Sequence, residues 1–126
     1  MTGRPVLEPG TGHPITIAPT PGRVRVRVNG EIVADTHNAL GLKEATLPVV
    51  QYIPMTDVVQ DLLTRTSTST YCPYKGEASY YSVTTAAGDT AEDVIWTYEQ
   101  PYPAVAAIAG HVAFYPDKAE ISVESD

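Results

Sequence analysis

The sequence predicts a mainly β domain, an antiparallel sheet closed on itself or folded into a two-sheet sandwich. Three observations carry this. Short segments of alternating apolar and polar residues recur at close intervals along the chain. Turn signals separate them. Only one stretch shows helical spacing, so strands outnumber helices.

The elements follow in order. Residues 1–22 carry five of the eleven prolines and four of the nine glycines. Residues 1–12 therefore read as a flexible Pro/Gly-rich arm, and residues 13–126 as one β domain. His13 to Ile17 fits a short strand at a sheet edge, where proline at the start is tolerated. Arg23 to Val28 alternates strictly, with Val24, Val26 and Val28 toward the core and Arg23, Arg25 and Arg27 away from it. That arginine row has two readings: a solvated edge strand that resists aggregation, or a face that binds an anion or another subunit. Asn29-Gly30 is a two-residue hairpin signal, because both residues tolerate positive φ. Glu31 to Thr36 is the return strand. Leu40 to Glu44 and Leu47 to Ile53 are two further strands, the second closed by Pro54.

The helical spacing comes next. Thr56 has the chemistry of an N-cap, Asp57 suits the positive end of a helix, and Val58, Val59, Leu62 and Leu63 share one face. One short α-helix is expected near 57–65. Ser67 to Ser69 read as the loop after it. Glu77 to Thr84, Asp93 to Glu99, His111 to Tyr115 and Ala119 to Glu124 complete the strands. Pro101 to Ala109 is a short helical turn or irregular crossing.

Bulk composition narrows the function. A chain of 126 residues with 43% hydrophobic and 18% charged residues folds without staples. Its single cysteine excludes an internal disulfide and a Cys-rich zinc site, which points to a reducing, cytoplasmic compartment. There is no secretory leader pattern and no apolar run near the ~20 residues of a membrane span. A net charge of −7 argues against nucleic acid as a partner. The three histidines lack metal-ligand spacing, so no metal and no cofactor is implied.

Unusual chemistry concentrates in Tyr71 to Tyr81, Y-C-P-Y-K-G-E-A-S-Y-Y, which holds the only cysteine and four of the eight tyrosines. Lys75 and Glu77 bracket Gly76, whose turn is expected to bring both to one hollow. There Lys75 would bind an anion or polarise a carbonyl, and Glu77 would orient it or move a proton. The alternative is a structural ion pair. Cys72 lies three residues before Lys75; a nearby ammonium favours a reactive thiolate, against a small buried hydrophobe. His111 is a candidate acid/base at neutral pH. Tyr74, Tyr81, Trp96 and Tyr98 offer flat area with a polar tip, suited to a ligand wall or to core packing. Glu99, beside Gln100-Pro101, is the second candidate carboxylate.

Several blocks carry a resemblance. They are V-A-D-T (33–36), Y-I-P-x-x-D-V (52–58), C-P-Y-K-G-E-A-S-Y-Y (72–81), I-W-T-Y-E-Q-P (95–101) and G-H-V-A-F-Y (110–115). In this order, over about 13 to 124, they resemble the domain of unknown function 427 family. The resemblance implies a small antiparallel β domain with a tent-like pair of sheets, similar to folds that bind zinc or small ligands elsewhere. The C-x-x-C pairs of those zinc sites are absent here, so the metal does not carry over. The family has also carried a nucleotidyltransferase label. That chemistry wants a Gly-Ser turn beside paired aspartates, and Asp57, Asp61, Asp89 and Asp93 show no such pattern.

Three functions follow as expectations. The first is a small-molecule-binding domain, with or without catalysis, whose pocket surrounds the C-P-Y-K-G turn. The second is a non-catalytic module that pairs with itself or with a protein. The third is a thiol-dependent activity at Cys72.

Overall fold

The computed structural model describes residues 4–125. Its strands are β1 (Ile15–Pro19), β2 (Arg23–Val28), β3 (Glu31–Thr36), β4 (Leu40–Glu44), β5 (Val50–Pro54), β6 (Leu63–Cys72), β7 (Gly76–Thr84), β8 (Thr90–Thr97), β9 (His111–Phe114) and β10 (Glu120–Glu124). They form two antiparallel sheets. One has seven strands in the order β1-β4-β5-β9-β8-β7-β6, and the other has three in the order β10-β2-β3.

The main core lies between the sheets. Val24, Val26, Val28 and Val33 from the small sheet meet Ile53, Val83, Val94, Val112 and Phe114 from the large one. Burying each such side chain stabilises the fold by about 1.5–3 kcal/mol. A second cluster covers the opposite face of the large sheet. There Tyr52, Ala78, Tyr80 and Ala113 pack with Leu42, Tyr98, Val105 and Ile108. Val105 and Ile108 come from a 3₁₀ segment, Pro103–Ile108, that meets β1 and closes this side.

The β2–β3 hairpin forms as its turn residues require, with Asn29 at φ 50° and Gly30 at φ 83°. The edge-strand reading of the arginine row is corrected: β2 is the middle strand of its sheet. Its arginines reach acids on both neighbours. Arg23 forks onto Asp35 of β3 through bonds of 2.8 and 2.6 Å, and Arg25 pairs with Glu124 of β10.

The helix expected over 57–65 is also corrected. Met55–Asp57 and Gln60–Leu62 are separate 3₁₀ turns, and β6 begins at Leu63. Pairing with β3 decides this. Val58 bridges Ala34 and is buried, and the Val59 amide donates to the Val33 carbonyl at 2.8 Å. The Asp57 carboxylate accepts from the Thr36 hydroxyl at 2.6 Å rather than serving a helix end. Tertiary pairing outweighs a weak local propensity.

Ser67 to Ser69, expected as loop, lie within β6. This edge strand is irregular between Arg65 and Ser69. Asp93, at φ 50°, holds the irregularity by accepting from Thr66 at 2.6 Å and from Thr68 at 2.7 Å. Those two bonds keep the Asp93 carboxyl below its ordinary pKa. Asp93→Gly, which keeps the positive φ and removes both acceptors, is expected to speed amide exchange across 66–69 while moving the global melting temperature little, because the tie is at an exposed edge. Unchanged exchange there would contradict this role.

Candidate functional site

The C-P-Y-K-G turn joins β6 to β7. The Lys75 amide closes it on the Cys72 carbonyl at 3.2 Å, and the Lys75 carbonyl accepts from the Tyr102 amide at 3.0 Å. Gly76 takes φ 113°, and a Cβ there would stand 3.4 Å from the Gln100 carbonyl oxygen. Two residues apart on a regular strand would share a face. Lys75 lies in the turn and Gly76 departs from strand geometry, so Lys75 and Glu77 part company. The expected shared hollow does not form.

Lys75 turns to the side of the second cluster. Its ammonium pairs with Glu44, whose other oxygen meets His13 Nε2 at 2.7 Å. Tyr74 stacks on the His13 ring, centroids 4.0 Å apart and planes 11° from parallel. The Lys75 nitrogen also lies 5.7 Å from the centre of the Tyr98 ring. The side chains of Glu44 and Lys75 are only 11% and 12% exposed. Burial works against ionised Glu44, but the bonds from Lys75 and then His13 outweigh it and hold its pKa below the ordinary carboxylate value.

Aromatic rings fill the space behind this pair. Trp96 Nε1 donates to the Tyr52 hydroxyl at 3.1 Å, and burial pushes the Tyr52 phenol up to about 12. Burial raises Tyr98 still further. Tyr80 and Tyr115 share a hydroxyl contact of 3.1 Å, and Tyr80 another of 2.8 Å with Thr70. Cys72 packs against the same cluster.

Glu77 faces the other way, into a polar cleft of about 570 Å³. On this face of the large sheet Tyr81 and Val83 run into the main core, while Ser79 and Glu77 continue past it into the cleft. Arg65 forks onto Glu99 at 2.6 and 2.9 Å and reaches the Ser79 hydroxyl at 3.0 Å. Its guanidinium lies 5.9 Å from the centre of the Tyr81 ring. Glu77 accepts from Ser69 at 2.7 Å and lies 3.6 Å from Arg4. The Tyr71 hydroxyl donates to the Pro5 carbonyl at 2.7 Å, so its 2.6 Å contact with Tyr102 has Tyr102 as the donor. Ser69 chiefly, and Arg4, lower the Glu77 pKa, and Arg65 lowers that of Glu99. Both carboxylates are therefore ionised acceptors at neutral pH.

The predicted residues thus divide. Cys72, Tyr74, Lys75, Trp96 and Tyr98 lie on the ring-filled side. Glu77 and Glu99 line the cleft, with Tyr81 beneath Arg65. His111 is apart from both, its Nδ1 2.9 Å from the Ala109 carbonyl oxygen. Glu44, His13 and Arg65 were missed. Glu44 had a signal: Leu40, Leu42 and Glu44 share one parity of β4, which puts a carboxylate in step with core leucines. Among the described residues, no three His, Cys, Asp or Glu side chains gather as metal ligands, and no helix is long and apolar enough to cross a membrane.

The family model described as domain of unknown function (DUF427) matches residues 16–125. The chain belongs to the DUF427 family. No curated protein matches it. In this DUF427 chain two of those blocks meet at the turn: C-P-Y-K-G forms it, and I-W-T-Y-E-Q-P supplies Trp96 and Tyr98 on one side and Glu99 on the other.

Proposed function

We propose that this DUF427 domain is a cytoplasmic small-molecule-binding protein whose ligand enters the cleft beside the C-P-Y-K-G turn. The convergence of Arg4, Arg65, Glu77 and Glu99 on one hollow of about 570 Å³ carries this reading. That volume is within the roughly 300–1,000 Å³ typical of ligand sites. Arg65 and Glu77 come from the paired strands β6 and β7 and Glu99 from the segment after β8, while Arg4 reaches in from the N-terminal arm. A free Cys72 suits a reducing compartment. The cleft also gives nucleotidyl transfer little support, because its two carboxylates, Glu77 and Glu99, each already face an arginine.

A thermal-shift screen against a metabolite library tests the reading, since a ligand of the native state raises apparent stability. The expected hit loses its effect in Arg65→Met. A hit that stabilises both forms equally would move the site elsewhere.

A second reading, self-association, draws on a different surface. Leu47, Val49 and Val123 are each about half-exposed and line one apolar groove with Trp96, Phe114 and Ile121. A second copy covering that groove would give a dimer by light scattering that Val49→Glu dissolves; a monomer at high concentration would end this reading.

A further inference from the structure

Resting on the cleft reading above, we propose that the ligand is a neutral polyhydroxylated molecule, a mono- or oligosaccharide. Charge comes first. Arg4 faces Glu77 and Arg65 forks onto Glu99, so the four charges cancel within the cleft. An anion would have to displace a carboxylate, and a cation an arginine. Neither is rewarded by the lining as it stands.

Hydrogen-bonding chemistry comes second. A sugar hydroxyl donates once and accepts at the same oxygen. It therefore fits best where donors and acceptors alternate at short range. Along this cleft the Arg65 fork, the Ser79 hydroxyl and the Glu99 carboxylate form one bonded group and the Ser69 hydroxyl and Glu77 carboxylate another, and together they offer that alternation. Linked hydroxyls and charged partners strengthen each other within such a group.

Ring placement comes third. Tyr71 and Tyr102 line the cleft nearly at right angles to each other, 6.3 Å between centroids and 78° between planes, and the Arg4 guanidinium lies 4.8 Å from the centre of the Tyr71 ring. Their phenols are tied together and to Pro5, which fixes the rings. On Tyr71 the C–H side of a sugar would take the place of the Arg4 guanidinium against the ring while the hydroxyl stays polar. An apolar ligand would displace water from the N–H groups and lone pairs these bonds leave over and replace none of its hydrogen bonds, at a cost of about 1–3 kcal/mol for each one buried.

Amide NMR on the isotope-labelled full chain tests the ligand class. The titrants are glucose, galactose, mannose, maltose and cellobiose, then ATP and inorganic phosphate, then free glutamate and arginine. The expected result is saturable shifts at Ser69, Tyr71, Glu77 and Ser79 from a saccharide, weakened about tenfold or more in Arg65→Met. Glu99→Gln, which keeps the shape and removes the charge, is expected to weaken the same binding less. If ATP, phosphate or an amino acid saturates those amides and no saccharide does, the saccharide class is overturned while the small-molecule reading stands. If a saccharide shifts amides elsewhere, the class assignment for this cleft is overturned. If no titrant moves the cleft amides, the saccharide proposal fails, and the metabolite screen separately decides the small-molecule reading.

Discussion

Lys75→Met is expected to destabilise the fold by about 3 kcal/mol at neutral pH, a fall in melting temperature on the order of 10 °C. Removing one member of a buried ion pair strands the other, and Glu44 is 11% exposed in its side chain. The figure is at the low end for such pairs because His13 still reaches Glu44. The pH dependence makes the prediction specific. In the wild type the folded-state pKa of Glu44 lies below its ordinary value. Its contribution is therefore complete above the unfolded pKa, about 4.3, and is lost as pH falls through the folded value. Without Lys75, burial is opposed by His13 alone and the carboxyl titrates higher. The variant then shelters a protonated Glu44 in acid, where the missing ammonium matters less. The stability gap between wild type and variant should narrow as pH drops from neutral toward 4, read by urea melts at each pH. A gap that stays constant would show that Lys75 acts through packing alone. The double variant Glu44→Leu with Lys75→Met should recover most of the loss, since an apolar pair needs no partner charge.

This ion pair also shows where the sequence was legible. β2 and its hairpin were readable because Val24, Val26 and Val28 alternate with arginines and Asn29-Gly30 admits positive φ. β6 was not, because Thr64, Thr66, Ser67, Thr68, Ser69 and Thr70 leave no apolar period on an edge strand with little core to face. The 57–65 segment misled because Val58, Val59, Leu62 and Leu63 fit a helical face as well as they fit short turns, and the deciding partner, Val33, is far away in sequence. At the site, the turn was found but its consequence was reversed. The bend at Gly76 is expected to gather Lys75 and Glu77, but at φ 113° it separates them, Lys75 to Glu44 and Glu77 to the cleft. The partner of Lys75 is 31 residues away, and so is His13 from Glu44. No local pattern joins three such positions, although parity along β4 marked Glu44 as inward.

Gly22→Ala is expected to have a comparable effect by a steric route, at about 3 kcal/mol or more. Gly22 precedes β2 with φ 92°, a region that L side chains rarely adopt. An added Cβ would stand 2.0 Å from the Glu124 carbonyl oxygen and 2.9 Å from the Ser125 Cα. Both are backbone atoms of the segment that ends β10, so no side-chain rotation relieves the overlap. The strand itself must move. β10 pairs only with β2, and its Glu124 is the partner of Arg25. Displacing it uncovers Val24 and Val26, both fully buried under the small sheet. The expected signature is loss of amide protection from Ile121 to Glu124, with protection in β7 and β8 retained, because those strands belong to the other sheet. Uniform loss across both sheets would instead mean that β10 docking and the large sheet unfold as one unit. In Gly22→Ala the cleft residues Arg65 and Glu77 keep their β6–β7 pairing, and Glu99 its fork from Arg65. The saccharide binding proposed above should therefore survive in the folded fraction, which separates damage to the small sheet from damage to the site.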